Sequence, residues 1–270
     1  MSNEILLIHL GGLGDVCLSE STFHSLHSHF GRKLHALGYT RFLGLFEDYF
    51  EQVLSIEERE WLWLFSDLAC HRRWGQTVLI GKDKTGVMRK RLSAVSLEPP
   101  LFIDLYPEDE RTHVEAYQGA QLEKLGVRPL RREPVERNKR RVIIYPEKSY
   151  AKTKWPYEHF IQLHERLGHH GIEVTLLEAP DQKPSCADSL QFDDLKETAT
   201  FFREGALFVS NDSGIAHLAA VCGLATITLF WEHDPAIWHP GGRNISIQCT
   251  THTPTVEEML SLILQAQGQT

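Results

Sequence analysis

At residues 209–220 the chain reads VSNDSGIAHLAA, which is an apolar strand running through a polar turn into a helix. The turn predicts that Asp212 or Ser213 caps the helix while unpaired backbone N–H groups point outward. These donors and the positive end of the helix dipole favour an anion such as phosphate, and Gly214 leaves room for close approach. Ser213 and His217 are four residues apart, so both side chains can face one ligand. Ligands of open α/β sheets bind at such strand ends, although many capped turns of this kind bind nothing.

A second strand-to-turn signal lies near the amino terminus, where residues 4–16 read EILLIHLGGLGDV. Gly11, Gly12 and Gly14 permit a tight turn and close approach of a ligand. The dinucleotide fingerprint G-x-G-x-x-G is incomplete because Cys17 stands at its third glycine, and no acidic residue ends the second predicted strand. No Gly-Lys-Ser or Gly-Lys-Thr follows to complete a P-loop. The sequence therefore disfavours an NAD site and a P-loop here.

Asp15 falls in the first turn of the helix that follows these glycines. Capping by itself explains an acidic residue at this position. A carboxylate held on a rigid strand, turn and helix at the mouth of a cleft also suits a general base. The residues alone leave both interpretations open.

Composition limits the classes of protein to consider. The chain has 270 residues, enough for two ordinary domains, and its 42% hydrophobic and 24% charged residues are typical of a globular protein. A formal net charge of -8 disfavours a nucleic-acid partner. No apolar run reaches the roughly 20 residues of a membrane span, and the five scattered cysteines form no C-x-x-C pair. We therefore expect a cytoplasmic protein with reduced thiols and no metal site.

Apolar strands alternate with amphipathic helices along the chain, which predicts an α/β fold with parallel sheets. The predicted strands are 4–10, 33–39, 77–81, 100–105, 141–145, 172–178, 207–211, 226–231 and 245–248. The predicted helices are 15–30, 86–93, 112–126, 157–170, 194–204, 213–222 and 256–267. Residues 127–140 contain two prolines and many charges without apolar periodicity, as interdomain linkers do. We predict two Rossmann-like domains, 1–135 and 136–270, whose parallel sheets face a central cleft.

Four segments in order along the chain carry a family resemblance. Residues 5–16, 145–160, 209–220 and 226–235 resemble the ADP-heptose:lipopolysaccharide heptosyltransferases of glycosyltransferase family 9. The resemblance implies a GT-B fold, with an acceptor-side amino-terminal domain and a carboxyl-terminal domain that binds the nucleotide sugar. It also implies an inverting transfer that needs no metal and no cofactor.

The resemblance assigns roles to several residues. Asp15 is implied as the general base, and Lys154 and His217 as further catalytic residues. The family usually has a lysine two residues before a Trp-Pro pair, and here Thr153 stands there between Lys152 and Lys154. The candidate substrate-binding residues are Gly11, Gly12, Gly14, Lys152, Thr153, Asp212, Ser213 and Gly214.

The implied partners are a nucleotide-sugar donor, ADP-heptose or a related compound, and a saccharide or lipid-linked saccharide acceptor. Basic clusters at residues 71–73 and 89–91 are candidates for contact with an anionic acceptor or, peripherally, with the inner membrane, but such clusters are more often solvated faces. The chain is shorter than the usual family member, mainly in its amino-terminal half. An alternative is therefore a nucleotide-sugar-binding protein of the same fold that has lost transfer, and a nucleotide-binding reductase is a third, disfavoured alternative.

Overall fold

The computed structural model describes residues 4–131, 141–146, 154–180, 184 and 189–268. The chain divides into two compact units, Met1–Arg132 and Glu133–Thr270. Each unit contains a parallel sheet and helices, so the predicted α/β class with two Rossmann-like sheets is confirmed. None of the helices among the described residues has the length and apolar character needed to cross a bilayer.

The first unit is organised around its first strand. The strands are β1 (Ile5–His9), β2 (Leu34–Gly38), β3 (Phe50–Ser55), β4 (Gln76–Ile80) and β5 (Leu101–Ile103). They pair in parallel in the order β3-β2-β1-β4-β5, and every residue of β1 is buried because the sheet is covered on both faces. The strand order reverses between β1 and β4, so the turn at Gly11 and Gly12 emerges where open α/β sheets bind ligands.

Helices and aromatic side chains enclose this sheet. The helices are α1 (Leu13–Leu18), α2 (Glu20–Phe30), α3 (Thr40–Leu43), α4 (Val87–Val95) and α5 (Val114–Lys124), with 3₁₀ helices at Gly44–Tyr49 and Arg59–Leu64. Trp61, Trp63 and Trp74 are buried in one core cluster with residues of β1 and α4. The rings of Trp61 and Trp74 stack with their centroids 6.4 Å apart.

The second unit repeats the arrangement. Its strands are β6 (Val142–Tyr145), β7 (Val174–Leu176), β8 (Leu207–Asn211), β9 (Ala225–Phe230) and β10 (Asn244–Gln248). Its helices are α6 (Tyr157–His169), α7 (Leu195–Phe202), α8 (Gly214–Val221), α9 (Pro235–Trp238) and α10 (Val256–Gly268). The parallel order is β10-β9-β8-β6-β7, which reverses between β6 and β8. The turn between β8 and α8 therefore also lies at a position typical of ligand binding.

The structure departs from the sequence-based expectations in several places, and the short helices α3 and α9 are among the elements that were not predicted. The predicted helix 15–30 is two helices interrupted at Ser19, whose backbone (φ −94°, ψ 2°) leaves the helical range. Strand β3 was not predicted, since its polar residues Glu51 and Gln52 are exposed at the sheet edge. Of the predicted linker, Val127 is buried and Leu130 N–H donates to Ser25 Oγ at 2.8 Å, whereas residues 132–140 lie outside the described part.

Gly38 lies where β2 meets the end of β1, and any side chain there collides with backbone. A Cβ at this position would lie 2.1 Å from the carbonyl oxygen of His9. We expect Gly38→Ala to lower the free energy of unfolding by about 1–3 kcal/mol, measured by urea denaturation. The control is Gly168→Ala in α6, where a Cβ meets no atom within 4 Å. Gly168→Ala is expected to raise the free energy of unfolding by about 0.5–1 kcal/mol. Equal effects of the two variants would contradict the steric argument.

Candidate functional site

The end of β1 is held by a buried histidine. His9 is fully buried, and its Nδ1 accepts the backbone N–H of Gly11 at 3.2 Å. Nδ1 therefore carries no proton, and Nε2–H donates to Ser19 Oγ at 3.1 Å. The imidazole thus ties the turn after β1 to the break between α1 and α2 in one neutral tautomer.

Further hydrogen bonds extend this arrangement to α5. The Ser19 hydroxyl donates to the Asp15 carbonyl oxygen at 2.9 Å and accepts from Gln118 Nε2 at 3.1 Å. The same amide nitrogen donates to the Leu105 carbonyl at 2.9 Å, and Gln118 Oε1 accepts from the Thr22 hydroxyl at 2.7 Å. Because these buried groups satisfy one another, the network fixes the start of α1 relative to β1 and α5. Sequence reasoning missed the network, whose members are far apart in the chain.

Asp15 lies on the turn that this network holds. Its Oδ2 accepts the backbone N–H of Gly12 at 2.9 Å, so the carboxylate does interact with the helix start, as the capping interpretation predicted. Burial raises the pKa of the carboxyl above its usual range, and the bond from Gly12 opposes that rise. The carboxylate has no ion pair among the described residues. A carboxylate with a raised pKa and no paired cation is a competent proton acceptor near neutral pH.

Glycine is required at position 11 because Asp15 and His9 occupy the adjacent space. A Cβ on Gly11 would lie 2.5 Å from Asp15 Cβ and 2.8 Å from His9 Cε1. At Gly12 the corresponding nearest atom, Asp15 Oδ2, is 3.9 Å away. The two adjacent glycines therefore differ sharply in their tolerance of a side chain.

In the second unit, the end of β8 is held by Asn211. This residue is fully buried, and its Oδ1 accepts both the Trp155 backbone N–H and Trp231 Nε1–H, each at 3.2 Å. Because this atom accepts two N–H donors, it is the amide oxygen, and the other terminal atom of the side chain is the Nδ2 amide nitrogen with its two N–H groups. Nδ2 has no hydrogen-bond partner among the described residues.

The start of α8 offers further donors. Ser213 is the N-cap residue, but its side chain accepts no hydrogen bond from the first turn, so the expected side-chain cap at this residue is wrong. Its Oγ is buried, without a hydrogen-bond partner in the described part of the chain. The N–H groups at the start of α8 are therefore not capped by the Ser213 side chain, and they lie beside the buried Ser213 hydroxyl and Asn211 amide. Such an arrangement suits an anionic ligand.

Asp212 is paired with a residue that sequence reasoning missed. Its backbone N–H donates to the Leu229 carbonyl at 2.9 Å, and its Oδ2 lies 2.6 Å from His233 Nδ1. His233 follows β9 as Asp212 follows β8, and the two strands are neighbours in parallel register. The sequence signal that could have identified the Asp212–His233 pair is therefore the presence of polar residues just after two strands that lie side by side in a parallel sheet.

The remaining candidates are distributed around the same edge of this sheet. Lys154 directly precedes Trp155, whose backbone N–H donates to Asn211 at the turn between β8 and α8. The lysine is therefore one residue away from a hydrogen bond that joins its segment to this turn. His217 is buried in α8, and Gly214 is the first residue of that helix. Lys152 and Thr153 lie outside the described residues. The structure thus brings the backbone next to Lys154 close to a distant turn that carries the three consecutive candidates Asp212, Ser213 and Gly214.

Comparison with known proteins identifies the family. The model of "Glycosyltransferase family 9 (heptosyltransferase)" matches residues 105–262, more than half of the chain. The chain belongs to glycosyltransferase family 9. No curated protein matches the sequence.

Solved structures show the same fold at low identity. Escherichia coli heptosyltransferase WaaC with ADP is 13% identical, with a TM-score of 0.69 over 98% of this chain and 99% of that one. A family 9 glycosyltransferase from Veillonella parvula is 13% identical, with a TM-score of 0.73 over 99% and 98% of the two chains. E. coli ADP-heptose LPS heptosyltransferase II is 16% identical, with a TM-score of 0.67 over 98% and 99%. These similarities confirm the predicted GT-B fold class.

In this family 9 chain, arginines of the two basic clusters bind to other parts of the first unit. Arg72 forms an ion pair with Glu4 at 3.0 Å and lies over the Trp74 ring. Arg91 donates to the Leu64 carbonyl at 2.8 Å and pairs with Asp67. These guanidinium groups therefore contribute to packing within the unit.

No group of three or more His, Cys, Asp or Glu side chains among the described residues is arranged to hold a metal ion.

The buried His9 makes the first unit acid-sensitive. Burial lowers the pKa of His9 to about 4, from about 6.5 in an unfolded chain. Below pH 6.5 the unfolded chain binds a proton that the folded chain excludes, so stability falls progressively as the pH drops from 6.5 toward 4. We expect His9 to account for a loss of about 2 kcal/mol between pH 7 and pH 5, measured by urea denaturation.

His9→Gln is the control, since glutamine hydrogen-bonds without titrating. This variant is less stable at pH 7 but should lose about 2 kcal/mol less than the wild type on going to pH 5. The same loss in both proteins would mean that other groups cause the acid sensitivity.

Proposed function

We propose that this family 9 member is an inverting, metal-independent glycosyltransferase that moves a sugar, heptose in the first instance, from an ADP-activated donor to a saccharide acceptor such as a lipopolysaccharide core. The observation that carries the proposal is Asp15, a carboxylate of raised pKa held on a rigid turn. The family supports the reaction class, and the structural neighbours include a heptosyltransferase with ADP and one named for ADP-heptose.

The donor belongs to the carboxyl-terminal domain, residues 136–270. The diphosphate can accept hydrogen bonds from Ser213 Oγ, Asn211 Nδ2 and the backbone N–H of Gly214. The dipole of α8 also favours its negative charge. Lys154 adds a flexible cation for the phosphates. Asp212 accepts hydrogen bonds from sugar hydroxyls, and His217 assists near the phosphate or the sugar.

The acceptor belongs to the amino-terminal domain, residues 1–135. Asp15 takes the proton of the acceptor hydroxyl as that oxygen bonds to the anomeric carbon. The bond from that carbon to the phosphate oxygen breaks at the same time, and ADP leaves with the electron pair. One displacement inverts the anomeric configuration. We expect this reaction in the cytoplasm, with peripheral membrane contact where the acceptor is lipid-linked.

The first test separates nucleotide binding from chemistry. Calorimetric titration with ADP, UDP, GDP and NAD in the presence of a chelator is expected to show selective binding of ADP. With ADP-heptose and an acceptor, Asp15→Asn should lower turnover by about 10²–10⁴-fold while leaving ADP affinity within about threefold, because asparagine keeps the bond to Gly12 N–H but is no base. In the wild type, kcat/KM should rise with pH through the raised pKa of Asp15.

Each result decides a separate part of the proposal. Full turnover in Asp15→Asn would remove Asp15 as the base. Binding of ADP without transfer to any acceptor would favour the nucleotide-sugar-binding alternative. Binding of NAD, or of no nucleotide, would overturn the proposed donor.

The adjacent glycines provide a matched test of how Asp15 is positioned. A Cβ on Gly11 displaces Asp15, so Gly11→Ala should lower kcat by about 10²-fold, the typical cost of a misplacement near 1 Å. Gly12→Ala introduces the same methyl group 3.9 Å from the carboxylate and should cost at least tenfold less. Equal losses in the two variants, compared by steady-state kinetics, would contradict the steric explanation.

A further inference from the structure

His233 is a hydrogen-bond partner of Asp212, and the role of this pair in diphosphate binding follows from charge. The Asp212 carboxylate, one residue before the N-cap of α8, lies beside the groups proposed to donate hydrogen bonds to the phosphates. Left alone, it repels a diphosphate and opposes the attraction of the helix dipole. Neutralising this carboxylate therefore favours diphosphate binding at the turn.

The geometry provides that neutralisation. His233 Nδ1 lies 2.6 Å from Asp212 Oδ2, a distance typical of a charge-assisted hydrogen bond. The side chain of Asp212 is 16% exposed and that of His233 is 62% exposed, so a mostly buried carboxylate is paired with an imidazole that is open to solvent. The neighbouring Asp234 caps α9, where its Oδ1 accepts the Ala236 N–H at 2.9 Å.

The segment that carries His233 is itself fixed to the turn. Trp231 donates its indole N–H to Asn211, and the Asp212 backbone N–H donates to Leu229 at the end of β9. The segment after β9 therefore bonds to two successive residues of the turn, Asn211 through Trp231 and Asp212 through His233. These bonds hold His233 beside the Asp212 carboxylate.

We propose that His233 is a positioning residue that neutralises Asp212, and that this pairing allows the turn before α8 to accept a nucleoside diphosphate. The inference rests on the proposed function, since it concerns the same donor site. It assigns to His233 an electrostatic effect exerted through Asp212, with no direct contact to the nucleotide.

The test compares nucleotide affinities of charge variants. His233→Gln keeps a hydrogen-bond donor for Asp212 but replaces the imidazole with an amide that cannot carry a positive charge. Calorimetry should show ADP binding about tenfold more weakly to this variant, while AMP affinity changes less than threefold. The double variant Asp212→Asn/His233→Gln should recover ADP affinity to within about threefold of the wild type, because no charge is left to neutralise. His170→Gln, an exposed change at the end of α6, serves as the control and should bind ADP as the wild type does.

The outcomes distinguish this inference from the function on which it rests. Unchanged ADP affinity in His233→Gln, with ADP binding intact in the wild type, overturns the inference alone. Weak binding that persists in the double variant also overturns it, since His233 then acts by direct contact or by holding the fold. A wild-type protein that binds no nucleoside diphosphate overturns the proposed function and the inference together.

Discussion

A polar side chain that is fully buried at the end of a central strand must find its hydrogen bonds inside the protein. Both units contain such a residue where the strand order of the sheet reverses: His9 ends β1 and Asn211 ends β8. Each side chain bonds segments that are far apart in the sequence. The turns that carry the candidate functional residues are therefore fixed by hydrogen bonds before any ligand arrives, as a preorganised site requires.

The two units meet this requirement with different chemistry. Around His9 the hydrogen bonds join neutral groups, and burial holds the imidazole uncharged. Around Asn211 the amide oxygen takes two N–H donors, which leaves its own N–H groups with no partner among the described residues. The first arrangement is self-sufficient and stabilises a turn. The second leaves donors available, which is what a binding site needs.

Much of the fold could be predicted because local patterns and tertiary structure agree. The run at β1 and the run at β8 are continuous apolar segments followed by turn residues, and both form the expected strands. Strand β3 has no such run, because an edge strand needs few apolar residues. The break at Ser19 was also unpredictable, since the groups that the Ser19 hydroxyl bonds include Gln118, 99 positions away.

The candidate site was predictable only in part for the same reason. Local spacing identifies Asp15, Asp212, Ser213 and the glycines, since turn residues after a strand are a local signal. Trp155 and His233, which bond Asn211 and Asp212, are brought to the second turn by the tertiary fold, which no local pattern contains. The missing information is therefore long-range, and it concerns the environments of the charged groups.

Those environments set the chemistry of the two aspartates, which occupy similar positions after central parallel strands. Asp15 is half-buried with one backbone donor and no ion pair among the described residues, so its pKa rises and it can take up a proton. Asp212 lies against His233, an arrangement that favours a charged, neutralised carboxylate. An acid whose pKa is raised suits proton transfer, whereas a paired acid suits a site that must tolerate a phosphate charge. The same residue type is thus suited to two different tasks, because His233 lies against the Asp212 carboxylate, whereas the buried His9 at the first strand end bonds Gly11 and Ser19 and not the Asp15 carboxylate.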